Sequence, residues 1–190
     1  MNREFDLIIY GATGFTGRLA VEYIDNNYSD LKWAIAGRNS EKLTEISNST
    51  MSKPPIFVAR SDDAETLSDI VRKTRVIASL AGPFSKYSNE LVNQCYENET
   101  NYLDITGENI WVRDLIDRYH KGCEDKGIFI IPSCGYDSIP SDIGSFYCHM
   151  MLNENIDHID GYHAGKGGVS GGTIETAFNM KNYKSSYKIS

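Results

Sequence analysis

Cysteine pairs are missing from this sequence of 190 residues. The four cysteines form no C-x-x-C motif, and they fall in or beside apolar stretches: Cys95, Cys123, Cys134 and Cys148. A free cysteine in such a stretch behaves as a small hydrophobic residue. Because disulfides persist only in oxidising compartments, we expect reduced thiols and a cytoplasmic protein.

An excess of positive charge is also missing, since the formal net charge is −7 and the pI is near 5.1. Nucleic-acid binding depends on clustered Lys and Arg, so we expect no nucleic-acid partner. The histidines show no H-E-x-x-H spacing and lie near no cysteine pair, so we expect no metal site. They are His120, His149, His158 and His163.

Long hydrophobic runs are absent as well. The first apolar run ends at a glycine turn and carries no small-residue cleavage site, so we expect no signal peptide. No stretch approaches the ~20 apolar residues of a membrane span. The richest stretch, residues 143–152, is interrupted by Gly144, Ser145 and His149. We therefore expect no transmembrane segment.

Six short apolar runs alternate with longer amphipathic stretches. The runs predict strands at residues 7–10, 33–36, 56–59, 76–80, 102–105 and 128–131. The stretches predict helices at residues 15–28, 40–46, 64–74, 89–97, 110–126 and 139–152, the second capped by Ser40 and the last closing the domain. Continuous apolar runs are typical of strands buried on both faces. The sequence therefore predicts an α/β fold, a Rossmann-type doubly wound parallel sheet in the order 3-2-1-4-5-6.

The pattern changes after residue 154. Residues 156–164 alternate as a strand, residues 165–173 form a glycine-rich turn, and residues 174–180 have a helical spacing. One strand and one helix cannot bury a core alone. We therefore expect residues 1–154 to form the nucleotide-binding domain and residues 155–190 to be the truncated start of a second, α+β domain.

The strongest motif follows the first strand. Its residues are Gly11, Ala12, Thr13, Gly14, Phe15, Thr16 and Gly17. In such a motif the first glycine permits a tight turn, the second lets the backbone approach a pyrophosphate, and the third permits close packing of helix on strand. The amino end of the next helix presents unpaired N–H groups to phosphate oxygens. The turn is therefore predicted to bind a dinucleotide.

The end of the second strand indicates which dinucleotide binds. Sites for NAD place an acid about 20 residues beyond the glycine turn, where it accepts from the ribose 2′-hydroxyl. Here that position reads Gly37-Arg38-Asn39. Arg38 offers a planar fork of donors suited to a 2′-phosphate, and Lys42 offers a second charge. We therefore predict NADP(H) in preference to NAD(H).

The loop after the fourth strand completes the predicted site with Ala81, Gly82 and Pro83. Ligands in doubly wound folds lie beyond the carboxyl ends of the strands, where the strand order reverses. The first and fourth strands flank that point. Since Ala81 and Gly82 have little bulk, we expect the backbone here to approach the nicotinamide ribose.

Five segments taken together resemble the saccharopine dehydrogenase-like oxidoreductases, including the trans-acting enoyl reductases. They read GATGFTGR, AGRN, AGPF, YLDITGE and SCGYDSIPSD, and begin at residues 11, 36, 81, 102 and 133. The resemblance implies an NADP-type Rossmann domain followed by a larger mixed-sheet domain that shapes the substrate cleft. The sequence is then an amino-terminal piece of such a protein. We expect a small-molecule substrate, with a lipid-like substrate and a homo-oligomer left open.

Hydride transfer often needs a proton donor beside the nicotinamide. Polar candidates at strand ends are Tyr87, Asp104, Glu108, Cys134, Asp137 and Ser138. Tyr87 is the preferred donor. Structural roles compete and are favoured for each residue, since Asp104 is placed to hold a loop and Ser138 to cap a helix whose first residue is a proline. We assign no catalytic residue.

Residues 166–173 imitate a phosphate loop but lack the Lys that precedes its final Thr, so we expect no ATP binding. The resemblance implies that Ser170 and Thr173 border the substrate cleft. Two functions follow. The first is an NADP(H)-dependent oxidoreductase, present here as its cofactor-binding portion. The alternative is a nucleotide-binding or partner-docking module without catalysis.

Overall fold

The computed structural model describes residues 3–152, 156–164, 166, 168, 171, 174–176 and 178. Strands and helices alternate along residues 3–152. The strands are β1 (Phe5–Tyr10), β2 (Trp33–Gly37), β3 (Ile56–Val58), β4 (Thr74–Ser79), β5 (Asn101–Asp104) and β6 (Ile130–Ile131). The helices are α1 (Phe15–Asn27), α2 (Ser40–Ser49), α3 (Ala64–Val71), α4 (Phe84–Tyr87), α5 (Asn89–Glu97), α6 (Asn109–Lys126) and α7 (Ile139–Leu152).

The six strands form one sheet in the order β3-β2-β1-β4-β5-β6, which confirms the predicted fold and strand order. Every pairing between neighbours is parallel. The central strand β1 pairs with β2 on one side and with β4 on the other. Chain order reverses between β1 and β4, so their carboxyl ends flank the crevice in which such folds bind ligands.

Both faces of the sheet are covered by helices, which explains why the strands read as continuous apolar runs. Ile8 packs in a cluster with residues of α3, α5 and α6, among them Leu67, Leu91 and Trp111. Its neighbour Ile9 points to the other face and packs with residues of α1 and α2, such as Val21. Successive residues of a strand face opposite sides, so two adjacent isoleucines contribute to two separate cores.

Several predicted helix boundaries differ from the observed ones, and two of these differences have a clear physical reason. The cap of α2 is Asn39 and not Ser40, since the Asn39 Oδ1 accepts from the Lys42 N–H at 2.9 Å. Helix α3 ends at Val71 rather than at residue 74, because Thr74 already pairs with Phe5 in the sheet. A chain cannot continue a helix through a residue whose backbone belongs to a strand.

The short helix α4 was not predicted at all. It occupies only Phe84–Tyr87, directly after the loop of Ala81, Gly82 and Pro83. Four residues are too few to show a helical period in the sequence. The contact that stabilises α4 comes from a distant part of the chain and is described with the site below.

The expected strand at residues 156–164 is wrong, since these residues form no strand and are mostly exposed. Alternation produces a strand only where a sheet edge supplies partners for its N–H and C=O groups. Residues 174–176 and 178 are helical as expected, whereas Ser170 and Thr173 lie outside the described residues. Helix α7 has its predicted bounds, but no buried side chain, so it does not close the domain as expected.

In the described ranges, no helix is both long enough and apolar enough to cross a bilayer. The same ranges hold no group of three or more His, Cys, Asp or Glu side chains placed to bind a metal ion.

The cap of α2 allows a direct test of the fold. We expect Asn39→Ala to lower the free energy of unfolding by about 1 kcal/mol, because the Lys42 N–H loses its acceptor. Ser40→Ala serves as the matched control and is expected to change the stability little. Urea denaturation of both variants measures the difference. A larger loss for Ser40→Ala would show that the cap is wrongly identified.

Candidate nucleotide-binding site

The first glycine of the turn is required by both its backbone and its surroundings. Gly11 has φ +84°, a left-handed conformation that favours glycine. Its N–H donates to the Ala36 carbonyl at 2.9 Å, which joins the turn to the end of β2. A Cβ at Gly11 would lie 2.9 Å from both the Cβ and the backbone nitrogen of Ala81. The glycine turn and the loop after β4 are therefore in direct backbone contact.

The third glycine brings the helix onto the strand. Gly17 is buried in the first turn of α1, and a Cβ there would overlap the Gly11 carbonyl oxygen and lie 2.8 Å from the Ala12 Cα. Real Cβ atoms do not approach backbone so closely. This agrees with the predicted role of Gly17 in helix–strand packing.

The second glycine is different, because Gly14 is exposed. A Cβ there would meet only the Gly11 carbonyl oxygen, at an ordinary 3.4 Å. Packing within the protein therefore does not require a glycine at this position. The position is open to an approach from outside, which suits a phosphate at the helix end.

The amino end of α1 has no capping side chain. Its N-cap is Gly14, and its first turn contains no acidic residue. In contrast, α2 and α3 are capped by Asn39 and Asp63, whose side chains accept backbone N–H groups. The first N–H groups of a helix lack intrahelical acceptors and carry a partial positive charge. The end of α1 can therefore accept an anion where the next two helices use their own side chains.

The remaining residues of the turn differ in exposure. Ala12 is fully buried, Thr13 and Thr16 are half-buried, and the Phe15 ring is 75% exposed. The Thr13 hydroxyl oxygen lies 4.0 Å from the Cβ position of Gly37, at the carboxyl end of β2. Thr13 thus lies between the glycine turn and β2, where it can add a hydroxyl donor.

Arg38 and Lys42 are both exposed, and Arg38 directly follows the last residue of β2. Neither forms an ion pair with another residue of the described chain. The nearby Asp62 carboxylate is bound by both Nε and Nη2 of Arg60, at 3.0 and 2.9 Å. Since this pairing occupies Asp62, the Arg38 guanidinium stays available for an external anion.

The charges of Asp62 and Arg38 both affect the pKa of the Tyr10 phenol. Burial, and to a lesser extent the Asp62 carboxylate, raise its pKa to about 12, and the Arg38 guanidinium acts in the opposite direction. Tyr10 is the last residue of β1, so both charged groups act on the end of the central strand. Ala36 of β2 pairs with Tyr10 of β1, so Arg38, which follows β2, lies close to the glycine turn.

Arg18 is a positive residue that sequence reasoning missed. Its Nε donates to the Thr13 carbonyl at 3.4 Å, which folds the exposed guanidinium back over the turn. The available signal was its position directly after Gly17. A cation here adds to the positive end of α1.

Asp104 has a structural role, and the structure explains why. It is fully buried at the end of β5. Its carboxylate accepts from the Tyr102 hydroxyl at 2.8 Å, the Thr106 N–H at 2.9 Å and the Ser133 N–H at 3.1 Å. Burial raises its pKa, and these three donors oppose that effect. Asp104 therefore joins the loops after β5 and β6.

Glu108 is also fully buried. Its two carboxylate oxygens accept from the N–H groups of Phe84 and Ser85, at 2.7 and 3.0 Å. These are the first two residues of α4, so Glu108 caps a helix that lies 24 residues earlier in the chain. The buried carboxylate has no exposed surface with which to contact a substrate.

The other polar candidates lie in the loop between β6 and α7. Cys134 is half-buried, and burial raises the pKa of its thiol, which disfavours the thiolate. Asp137 is exposed in the loop after β6. Helix α7 begins immediately after Ser138, and Pro140 is its second residue rather than its first.

Tyr87 remains available to a ligand. It is half-buried at the end of α4, and the Lys86 ammonium lies 4.9 Å from its ring centroid. The structure therefore brings together the glycine turn, Arg38 and the loop of Ala81, Gly82 and Pro83, with Tyr87 one short helix away.

Comparison with known proteins gives a consistent result. Residues 7–131 match the family described as the saccharopine dehydrogenase NADP binding domain. The chain is 30% identical over 190 residues to a lipid droplet localized protein of Caenorhabditis elegans, covering 95% of this chain and 44% of that protein. It is 38% identical over 156 residues to a trans-acting enoyl reductase of Mycobacterium tuberculosis, covering 80% of this chain and 37% of that protein. The chain thus spans less than half the length of these relatives.

Solved structures support the fold. Apo saccharopine dehydrogenase from Saccharomyces cerevisiae superposes with a TM-score of 0.65 at 15% identity, over 78% of this chain and 31% of that one. The triphenylmethane reductase of Citrobacter sp., complexed with NADP(H), superposes with a TM-score of 0.52 at 12% identity, over 66% of this chain and 48% of that one. At such identities the likeness concerns the fold alone.

The glycines give a test of the site's geometry. We expect Gly17→Ala to lower the free energy of unfolding by about 1–3 kcal/mol, because the new methyl group overlaps backbone atoms that cannot move independently. Gly14→Ala is the matched control. Its methyl group meets one atom at an ordinary distance, so the stability should change little. Thermal or urea unfolding measures both, and equal effects would contradict the assigned roles.

Proposed function

Because the chain belongs to the family of saccharopine dehydrogenase NADP-binding domains, we propose that it is the cofactor-binding portion of an NADP(H)-dependent oxidoreductase. The observation that carries the proposal is the uncapped amino end of α1, set behind a turn in which Gly11 and Gly17 leave no room for a Cβ. Such a turn suits a pyrophosphate, which needs close approach to backbone N–H groups.

The residues present fit the whole cofactor. We assign the pyrophosphate to the turn from Gly11 to Gly17, and the 2′-phosphate to Arg38 with Lys42. The nicotinamide ribose is assigned to the loop of Ala81, Gly82 and Pro83, which contacts the turn at Gly11. Bound NADPH supplies a hydride, and the protein orients it.

Arg38 supports NADPH over NADH for an electrostatic reason. No acid occupies the end of β2, where NAD sites place one, and the nearby Asp62 is already paired with Arg60. A guanidinium binds a phosphate through parallel charge-assisted hydrogen bonds. The same group gains little from a ribose 2′-hydroxyl.

Titration with NADPH and NADH, followed by nicotinamide fluorescence, tests the cofactor. We expect NADPH to bind more tightly, and Arg38→Ala to weaken NADPH by about tenfold or more while leaving NADH almost unchanged, because one charged hydrogen-bonding group is removed.

Arg75→Ala is the matched control for that substitution. It removes the same charge from an exposed residue near the amino end of β4, whereas the proposed site lies at the carboxyl ends of the strands. It should leave both affinities unchanged. Equal losses of NADPH and NADH in Arg38→Ala would count against a 2′-phosphate role, and equal affinities in the unmodified protein would remove the cofactor preference.

We further propose that the hydride goes to a small unsaturated substrate, with a lipid-like acyl group as the favoured class. Support comes from the relative named a trans-acting enoyl reductase and from the relative named a lipid droplet localized protein. We assign residues 155–190 to the start of the substrate-binding domain. Saturating an enoyl group adds a hydride to one carbon and a proton to the other. Tyr87, which follows the nicotinamide loop by one short helix, is the proposed proton donor.

NADPH oxidation by an α,β-unsaturated acyl substrate, followed by absorbance, tests this assignment. We expect Tyr87→Phe to lower the turnover by about 100-fold, the usual effect of a general acid, without changing the Kd of NADPH. Tyr28→Phe, at the far end of α1, is the control and should have no effect. NADPH binding without any oxidation would instead favour a binding module that performs no chemistry.

A further inference from the structure

The buried carboxylate of Glu108 holds the start of α4 in place. Both of its oxygens are used, one by the Phe84 N–H and the other by the Ser85 N–H. The residue before them, Pro83, contributes no capping side chain. Helix α4 therefore depends on a side chain from the β5–α6 loop for the acceptors that a helix usually finds locally.

Helix α4 in turn fixes the loop that precedes it. The loop of Ala81, Gly82 and Pro83 spans the short distance between β4 and α4. At one end Ala81 contacts Gly11 of the glycine turn. At the other end the Phe84 ring stacks on Trp111 with centroids 6.3 Å apart, and it lies 3.1 Å from the Cβ position of Gly82. The loop is thus confined between the glycine turn and the first residue of α4.

Glu108 is itself held in a fixed position. Its own N–H donates to the Thr106 hydroxyl at 3.1 Å, and the Thr106 N–H donates to the buried Asp104 carboxylate at 2.9 Å. The Thr176 hydroxyl lies 3.5 Å from Oε1, the longest of the Glu108 contacts. The carboxylate is therefore anchored to the end of β5 and does not move independently of the sheet.

We propose that Glu108 is a positioning residue for the nicotinamide half of the cofactor. The inference rests on the proposed NADP(H) site. Glu108 is fully buried and so acts through the protein: it sets the position of Ala81 and Gly82, against which the nicotinamide ribose is assigned. Its loss affects the nicotinamide end and spares the adenosine end, which is assigned to Arg38 on the other side of β1.

Both oxygens of the Glu108 side chain are required as hydrogen-bond acceptors. Two backbone N–H groups point at two oxygens, and a neutral amide has only one oxygen to offer. In Glu108→Gln the amide NH₂ would face one of the two backbone N–H groups, and two donors cannot form a hydrogen bond with each other. The first turn of α4 and the loop before it must therefore shift. The substitution preserves size and shape, so the core around Trp111 stays filled.

The test compares NADPH with 2′,5′-ADP, which carries the 2′-phosphate but no nicotinamide. We expect Glu108→Gln to weaken NADPH by about tenfold or more, while the Kd of 2′,5′-ADP changes by less than about twofold. The fluorescence of bound NADPH should also change, because the nicotinamide environment is altered. If Glu108 only stabilised the fold, the substitution would not change the Kd of NADPH more than that of 2′,5′-ADP. It would also not change the fluorescence spectrum of bound NADPH.

Two further variants keep the test decisive. Thr106→Val removes the hydroxyl that accepts the Glu108 N–H, and it should cause a smaller loss with the same selectivity, even if Glu108→Gln fails to fold. Glu90→Gln makes the same chemical change on α5, where the side chain contacts Gln94, and it should affect neither ligand.

The outcomes separate this inference from the function on which it rests. Equal losses of NADPH and 2′,5′-ADP in both Glu108→Gln and Thr106→Val would overturn the positioning role, as would unchanged binding of both ligands. Failure of the unmodified protein to bind either ligand would overturn the NADP(H) site itself, and the positioning role with it.

Discussion

The close backbone contact between the glycine turn and its two neighbours is the constraint on which the site depends. Gly11 lies against Ala81 of the loop after β4, and Gly17 lies against the Gly11 carbonyl. Neither contact leaves room for a side chain. Together they bring the positive end of α1 to the carboxyl ends of β1 and β4, where the strand order reverses. A larger residue at either glycine would separate the helix end from the crevice.

Two buried carboxylates, those of Asp104 and Glu108, hold the loops around the nicotinamide end of the proposed site. Their burial has an energetic cost. Moving a charged group out of water is unfavourable unless hydrogen bonds replace the lost hydration. Asp104 receives three donors, and Glu108 receives two backbone N–H groups. Burial nevertheless raises the pKa of Asp104, so its ionised form is less favoured in the folded protein than in the unfolded chain. The unfavourable burial of this carboxylate is offset by a structural gain, because it holds the loops after β5 and β6 at fixed positions.

Sequence patterns predict the sheet well because strand burial and helix spacing are local properties. Ile8 and Ile9 belong to one apolar run whether or not their partners are known, and the turn at Gly11 marks its end. The prediction of Ser40 as the cap is wrong because the preceding Asn39 is also a suitable capping residue, and only the backbone position decides between them. Helix α4 and the role of Glu108 could not be predicted from sequence patterns for another reason. The cap lies 24 residues away from the helix, so no local window contains both.

Local charge at the site is opposite in sign to the charge of the whole chain. The sequence carries −7 overall, yet Arg18, Arg38 and Lys42 are exposed around the glycine turn. Two of the acids nearby are occupied, since Arg60 binds Asp62 and backbone N–H groups bind Glu108. Salt largely screens charges that lie more than a Debye length of about 10 Å away, whereas a bound phosphate responds to the groups in contact with it. An acidic protein can therefore bind an anionic cofactor at a crevice where exposed cations and an uncapped helix end lie together.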